Sequence, residues 1–364
     1  MNKYSSIITF ISFAVILSAI GSWLLLAPDP GFSKEERRAL ESRPEISLFD
    51  TERSISDQLN GYYSDKIPFR PLLRNLKVAF SSTLLMQSSV DGYKVKNGSE
   101  YKIIDNSSIE LAERNVKFIS EIVNKYYSDS SVSYGVIPDK GYYAGEANHP
   151  DSDAIEALFG DFLPKGSTLI DMENELDFSS FYKTDIHVTQ AAFLPAAKLI
   201  CQSFGSDYYA ESELEELKLG DFRGGLYGQA CYAVLPDKMT VLSSSLIDAA
   251  KAGFNFESAS SPLYDLDAFY NSADPYDVFL GGEKAVITIN NSSCKSGRTL
   301  VIFRDSYARS IAPLLIKSYS KIILVDFRYM TGASIEEYRE AVAPSGSDVL
   351  ILLSSQIIGS VLYR

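Results

Sequence analysis

Apolar residues run without a charge from Ser5 to Ala27. As a helix the run is roughly 34 Å long, enough to cross a hydrocarbon core with some tilt. Trp23 falls near its far end, where an indole favours the interface, and Lys3 precedes it. That polarity predicts a cytoplasmic tail over 1–4, a transmembrane signal-anchor over 5–27 and the bulk of the chain outside. A cleaved signal peptide is the rival reading, because Ser, Thr and Gly dilute the run. No clear small-x-small site follows, however, and Pro28 disfavours cleavage after Ala27.

Residues 28–50 mix charges, Pro and Ser and read as a stalk. Apolar positions then recur at helical spacing over Ile55–Tyr63 and Leu72–Leu85, divided by SDKIPFRP, which predicts two bracing helices and a segment 28–90 ahead of the main domain. From about residue 91 the pattern alternates between helix and strand. Ser107–Tyr127 has helical period, Val132–Ile137 is β-rich and ends at Pro138, Thr168–Met172 is a short strand candidate, and Thr189–Phe204 is helical with a kink expected at Pro195. Leu300–Phe303, Ile322–Phe327 and Val349–Leu353 are dense in Val, Ile, Leu and Phe, like strands buried on both faces, with helical stretches at Ala308–Tyr319 and Ser334–Val342 between them. This order predicts an α/β domain over 91–364: a parallel sheet flanked by helices in three layers. Residues 206–297 show weak periodicity and many Tyr, Gly, Asp and Ser, and read as an insertion over the site.

Composition narrows the function classes. With 46% hydrophobic residues and mean hydropathy of -0.03, the chain can bury a large core, and about 335 residues after the apolar run suit one large domain with a smaller segment before it. A net charge of -13 disfavours nucleic acid as a partner. Three well-separated cysteines, Cys201, Cys231 and Cys294, give no disulfide framework, and two histidines, His149 and His187, cannot build a multi-histidine zinc site, so no metal and no cofactor are expected.

Two segments carry candidate chemistry. Leu300 to Ala308, LVIFRDSYA, is an apolar strand that ends in Asp305-Ser306 and passes into a helix. Such a turn exposes a seryl oxygen and aims free N–H groups at it, which suits a tetrahedral oxyanion; simple helix capping by Asp or Ser is the alternative. In Thr184-Asp185-Ile186-His187 the carboxylate and imidazole are two residues apart, so an extended segment would project both to one side, and the Asp can orient the ring as a base. A hydrogen-bonded structural His is the alternative there. His149, in the loop EANHP, reads as an exposed loop residue. The Tyr208-Tyr209 pair and Tyr264, Tyr270 and Tyr276 invite sugar stacking, though structural packing explains most tyrosines.

These segments occur in order with others: ESRPEI near 43, YYSDKIPFR, VIPDKGYY, TDIHVT, FRGGLYG, DVFLGGEKAV and LVIFRDSYARSIAPLL followed by IILVDFRY. Together they resemble the DHHW family of bacterial extracytoplasmic proteins, SGNH-hydrolase-like relatives of the alginate O-acetylation proteins. The resemblance implies a flavodoxin-like SGNH fold, with Ser306 as nucleophile, His187 as general base and Asp185 as its orienting acid. Val188 stands where the signature has Trp, Ile186 where it has its first His, and Arg304 where SGNH enzymes have Gly. Tyr307, the Gly281-Gly282 turn, Arg304 and Arg328 are therefore candidates for oxyanion or substrate binding; for Arg304 a salt bridge to a neighbouring carboxylate or a merely solvated side chain is the alternative. The implied function is a serine acyltransferase or esterase acting on O-acetyl groups of a cell-envelope polysaccharide, with an acylated glycan and a membrane-bound acyltransferase as partners. The alternative is a non-catalytic glycan-binding or scaffold protein.

Overall fold

The computed structural model describes residues 3–29, 31–44, 54–105 and 107–360. Glu45 and Ile46 of the ESRPEI motif lie outside them. The chain divides into two units, one of Met1–Val90 with Tyr227–Ala233, the other of Asp91–Leu226 with Val234–Arg364.

In the first unit, helix α1 (Lys3–Leu26) is exposed along its length, and Tyr4–Leu26 is long and apolar enough to cross a membrane. Helix α2 (Ile55–Lys66) starts at Ser54, whose side chain accepts the Asp57 N–H, and α3 (Arg70–Ala79) continues through a π-turn over Phe80–Leu84. The polar interior of this unit is an ion cluster in which Arg38 and Arg70 converge on Glu36 and Asp65.

The second unit is built on one seven-stranded sheet. Its strands in chain order are β1 (Val132–Ile137), β2 (Thr168–Leu169), β3 (Lys251–Phe254), β4 (Val286–Asn290), β5 (Thr299–Arg304), β6 (Lys321–Asp326) and β7 (Asp348–Ser354), arranged β2-β1-β7-β5-β6-β4-β3. The first five in that spatial order pair in parallel, whereas β4 is antiparallel to both β6 and β3. Alternation along the strands sorts the core into two layers. Leu300, Ile302, Ile322, Leu324, Leu350 and Leu352 face the helices Leu194–Ser203 and Ala308–Leu315. Val301, Phe303, Ile323, Val325, Ile351 and Leu353 face Ile109–Tyr126 and Ser152–Phe162. All twelve are fully buried, and each such side chain contributes about 2 kcal/mol of hydrophobic stabilisation.

Several local expectations change. Residues 206–297 supply β3 and β4 to the sheet and a hairpin of Glu215–Phe222 with Asp237–Ser243, so the stretch is woven into the fold. Its weak periodicity reflects short strands whose polar edges alternate with turns. Pro195 does not kink a helix but lies in the first turn of Leu194–Ser203, where its missing N–H costs no hydrogen bond. All three cysteines are free thiols.

Candidate active site

Strand β5 lies inside the sheet between β7 and β6, and its carboxyl end delivers Ser306 to the edge where open α/β sheets bind ligands. The turn is fixed by Asp305, which is fully buried: one carboxylate oxygen accepts the Tyr307 N–H at 3.0 Å and the other accepts the Ser354 N–H at the end of β7 at 2.8 Å. Asp305 therefore does the capping, and the Ser306 hydroxyl is left for another partner. Ser306 is half-buried, and among the described residues no acceptor engages its N–H.

That partner is His187. Its Nε2 lies 2.8 Å from Ser306 Oγ, and its Nδ1 lies 2.6 Å from Asp185 Oδ1. A carboxylate only accepts, so Nδ1 carries the proton, and a neutral ring then accepts the seryl O–H at Nε2. Asp185 and His187 meet through a turn, not through an extended segment as the spacing suggested. Asp185 Oδ1 also accepts the His187 backbone N–H at 3.1 Å, and the ends of the loop are closed by the Tyr182 N–H on the His187 carbonyl.

The loop is held from several sides. Gly225 N–H donates to Asp185 Oδ2 at 2.7 Å, and Gly224 N–H to Thr184 Oγ1 at 2.9 Å. Thr184 in turn donates to Asp237, which also accepts the N–H groups of Lys183 and Thr184. A Cβ on Gly224 would lie 2.3 Å from Asp185 Cβ and from the Thr184 carbonyl oxygen, so no larger residue fits there. In Gly224→Ala the loop must move, and the downfield Nδ1–H resonance that this short hydrogen bond gives His187 is expected to vanish. With only two histidines in the chain, proton NMR against Asp185→Asn resolves it.

Lys140 lies beneath the same loop. Its buried Nζ donates to the carbonyls of Glu100 (2.5 Å), Tyr182 (2.6 Å), Lys183 (3.3 Å) and Asp185 (3.2 Å). Burial pushes its pKa down to about 8, while Asp185, Asp237 and Glu100 favour its charge. An unfolded lysine keeps its proton to about 10.4, so between the two values the unfolded chain binds more protons and stability rises with pH. This contribution is lowest below pH 8. Urea unfolding across that window is expected to show a rise of about 3 kcal/mol that Lys140→Met lacks.

Tyr276 is fully buried and stacks on the His187 ring, with centroids 3.9 Å apart and planes 10° from parallel. The Arg309 guanidinium lies 5.0 Å from the Tyr276 centroid and pairs with Asp277 at 3.0 Å. Tyr276 thus positions the imidazole instead of stacking on a sugar. Tyr264 is likewise structural, donating to the Leu242 carbonyl, whereas Tyr270 is exposed.

The remaining candidates are engaged elsewhere. The Tyr307 N–H goes to Asp305, and its hydroxyl donates to the Ile186 carbonyl at 2.7 Å. Arg304 is fully buried: it pairs with Asp326 at 3.1 Å and donates to the carbonyls of Asp305 and Lys284, and burial pulls its pKa down to about 10. Its guanidinium closes the ends of β5 and β6 and cannot meet a ligand. Arg328 also binds Asp326, through Nε and Nη2, and reaches Glu283. Gly281 and Gly282 have φ of +65° and +85°, and a Cβ on Gly282 would press on the Asp277 carboxylate at 2.7 Å, so this turn backs the Asp277–Arg309 pair. His149 is half-buried, with its ring edge-on to Tyr142. Among the described residues no cluster of His, Cys, Asp and Glu is arranged to hold a metal ion. Lys140, Gly224, Gly225 and Asp237 were not singled out as site residues from the sequence. For Lys140, Gly224 and Gly225 the signal lay in VIPDKGYY and FRGGLYG, read there only as parts of a resemblance; Asp237 lies in neither motif.

The sequence pattern of the DHHW protein family matches residues 169–325, a span that holds Asp185, His187 and Ser306. This part of the chain resembles that family. A DHHW family protein from Eubacterium siraeum has a similar structure, with a TM-score of 0.60 at 19% identity over 76% of this chain and 96% of that one. Bacillus cereus PatB1, in a form with a sulfonyl adduct, gives 0.57 at 16% identity over 74% and 97%. No curated protein matches the chain. With these structures the chain shares an α/β architecture in which helices flank a mostly parallel central sheet. Val188, in place of the signature Trp, is fully buried in one core layer, and Ile186 contributes its carbonyl to Tyr307, so both departures leave the Asp-His-Ser geometry intact.

Proposed function

We propose that this protein, with the DHHW family it resembles, is a serine acyltransferase or esterase acting on O-acetyl groups of a cell-envelope polysaccharide, held outside the cytoplasm by α1. The observation that carries this reading is the continuous chain of short hydrogen bonds from Asp185 through His187 to a half-exposed Ser306. Serine needs such a base, because its hydroxyl is a weak nucleophile at neutral pH. As Ser306 Oγ attacks the acyl carbonyl carbon, its proton passes to His187 Nε2, and Asp185 stabilises the imidazolium that forms. The Ser306 N–H is available to the developing oxyanion. Collapse breaks the ester C–O bond, His187 returns the proton to the departing sugar oxygen, and an acyl-serine remains. A second hydroxyl, from glycan or water, is deprotonated by His187 and attacks the acyl carbon; the Ser306 Oγ–acyl bond then breaks, and Oγ takes the proton back from His187. Transfer and hydrolysis differ only in that acceptor.

The sulfonyl adduct on PatB1, a protein of similar fold, supports the same chemistry here. A non-catalytic scaffold has no use for an Asp-His-Ser chain at a half-exposed serine. Incubation of the purified chain with a serine-directed phosphonate, followed by intact-mass and peptide analysis, is expected to place one adduct on Ser306 and none on the Ser306→Ala variant. No adduct on the native chain would favour the glycan-binding scaffold. A membrane-bound acyltransferase as acyl donor is part of the transferase reading, and co-purification from membranes tests it.

A further inference from the structure

Helix α3 has its polarity reversed. Its charged face looks inward: Arg70 pairs with Glu36 and Asp65, and Arg74 reaches Glu36 and the carbonyls of Gly228 and Gln229. Its apolar face looks out. Phe69, Leu72, Leu73, Leu76, Phe80 and Leu84 recur at helical spacing and are all exposed, Phe69 to 78% and Leu84 to 67%. A helix at a water interface shows the opposite arrangement, and a contiguous apolar stripe of this length marks a surface that another phase covers.

The second observation names that phase. The Trp23 indole N–H, in the last turn of α1, donates to the Lys66 carbonyl at 3.0 Å, three residues before Phe69. If α1 crosses the bilayer, Trp23 marks the level where the helix leaves the hydrocarbon, and the α2–α3 corner sits at that level with it. We infer that the outer face of α3 and its π-turn lies on the outer surface of the membrane, with Phe69, Leu72, Leu76 and Phe80 inserted at the boundary of headgroups and acyl chains, as an interfacial helix does. This rests on the anchor reading of α1 and is independent of the serine chemistry. Its consequence is a second attachment, beyond a single swivelling helix, that fixes how the first unit stands on the bilayer.

The chain contains one tryptophan, which makes the test direct. The full-length protein is reconstituted into phosphatidylcholine vesicles with and without bromine on the acyl chains, and indole quenching is compared for the native chain, Trp23→Phe/Leu76→Trp, Trp23→Phe/Leu84→Trp and Trp23→Phe/Asn75→Trp. Asn75 lies off the apolar stripe. The expected result is loss of about half or more of the fluorescence at positions 76 and 84 and markedly less at 75. Quenching of native Trp23 with none at 76 and 84 overturns the inference while leaving the anchor in place. No quenching of Trp23 overturns the anchor reading itself. Cross-linking between copies through Leu76→Cys, without lipid quenching, assigns the face to a second copy and overturns the inference as well. Phosphonate labelling of Ser306 in the same vesicles reports the active-site reading separately.

Discussion

Ser306→Ala is expected to lower turnover of an acyl ester by about ten-thousand-fold, with little change in ester binding. In the proposed mechanism the hydroxyl supplies the bond that forms in the first step, so its loss removes the covalent path, and only the residual effect of substrate placement near the Ser306 N–H remains. His187→Gln is expected to cost nearly as much, because without a base the hydroxyl keeps its proton. The two changes act on one proton transfer, so the double variant should be hardly slower than either single one. Steady-state hydrolysis of a chromogenic acetyl ester, and deacetylation of an O-acetylated glycan, measure both. Retention of more than about a tenth of native activity in Ser306→Ala would assign the reaction to another group.

Asp326→Ala is expected to destabilise the second unit by about 3–5 kcal/mol. Arg304 and Asp326 are both fully buried at the carboxyl ends of adjacent strands, and the aspartate also binds Arg328. Removing the carboxylate leaves the Arg304 charge in the interior with only two carbonyls, an arrangement that costs far more than the pair contributes. Arg304→Met should be milder, because Asp326 keeps Arg328 as its partner and a methionine fills much of the same volume. Urea denaturation followed by near-ultraviolet circular dichroism compares the two. Equal losses would mean that Arg328 does not hold the aspartate in the absence of Arg304.

The parts legible in the sequence are those where one physical signal dominates a contiguous stretch. Residues 300–303, 322–327 and 349–353 announced buried strands because a strand covered on both faces is apolar at nearly every position, and β5, β6 and β7 occupy most of those stretches. Strand β3, at the sheet edge, and its neighbour β4 were not visible, since their four and five residues are too short for a continuous apolar run and sit among turns. From the sequence Arg304 stays open between a ligand and a neighbouring carboxylate, and Arg328 is a candidate for the same crevice, because a lone arginine after a strand gives no sign of which partner it takes. Asp326, on the next strand, decides both.

The sequence by itself determined the apolar first helix, the α/β alternation and the identity of the Asp, His and Ser side chains able to do chemistry, because hydrophobic period and side-chain type are local properties. Only the tertiary structure brought His187 within 2.8 Å of Ser306, 119 residues away along the chain, and supplied Lys140, Gly224, Asp237 and Tyr276 to hold the imidazole. Those roles depend on distance, burial and the direction of hydrogen bonds between remote segments, which exist only once the sheet has set its strand order. The outward-facing leucines of α3 belong to the same class: their spacing predicts a helix, but which face turns out is settled by where Glu36 and Asp65 draw its arginines.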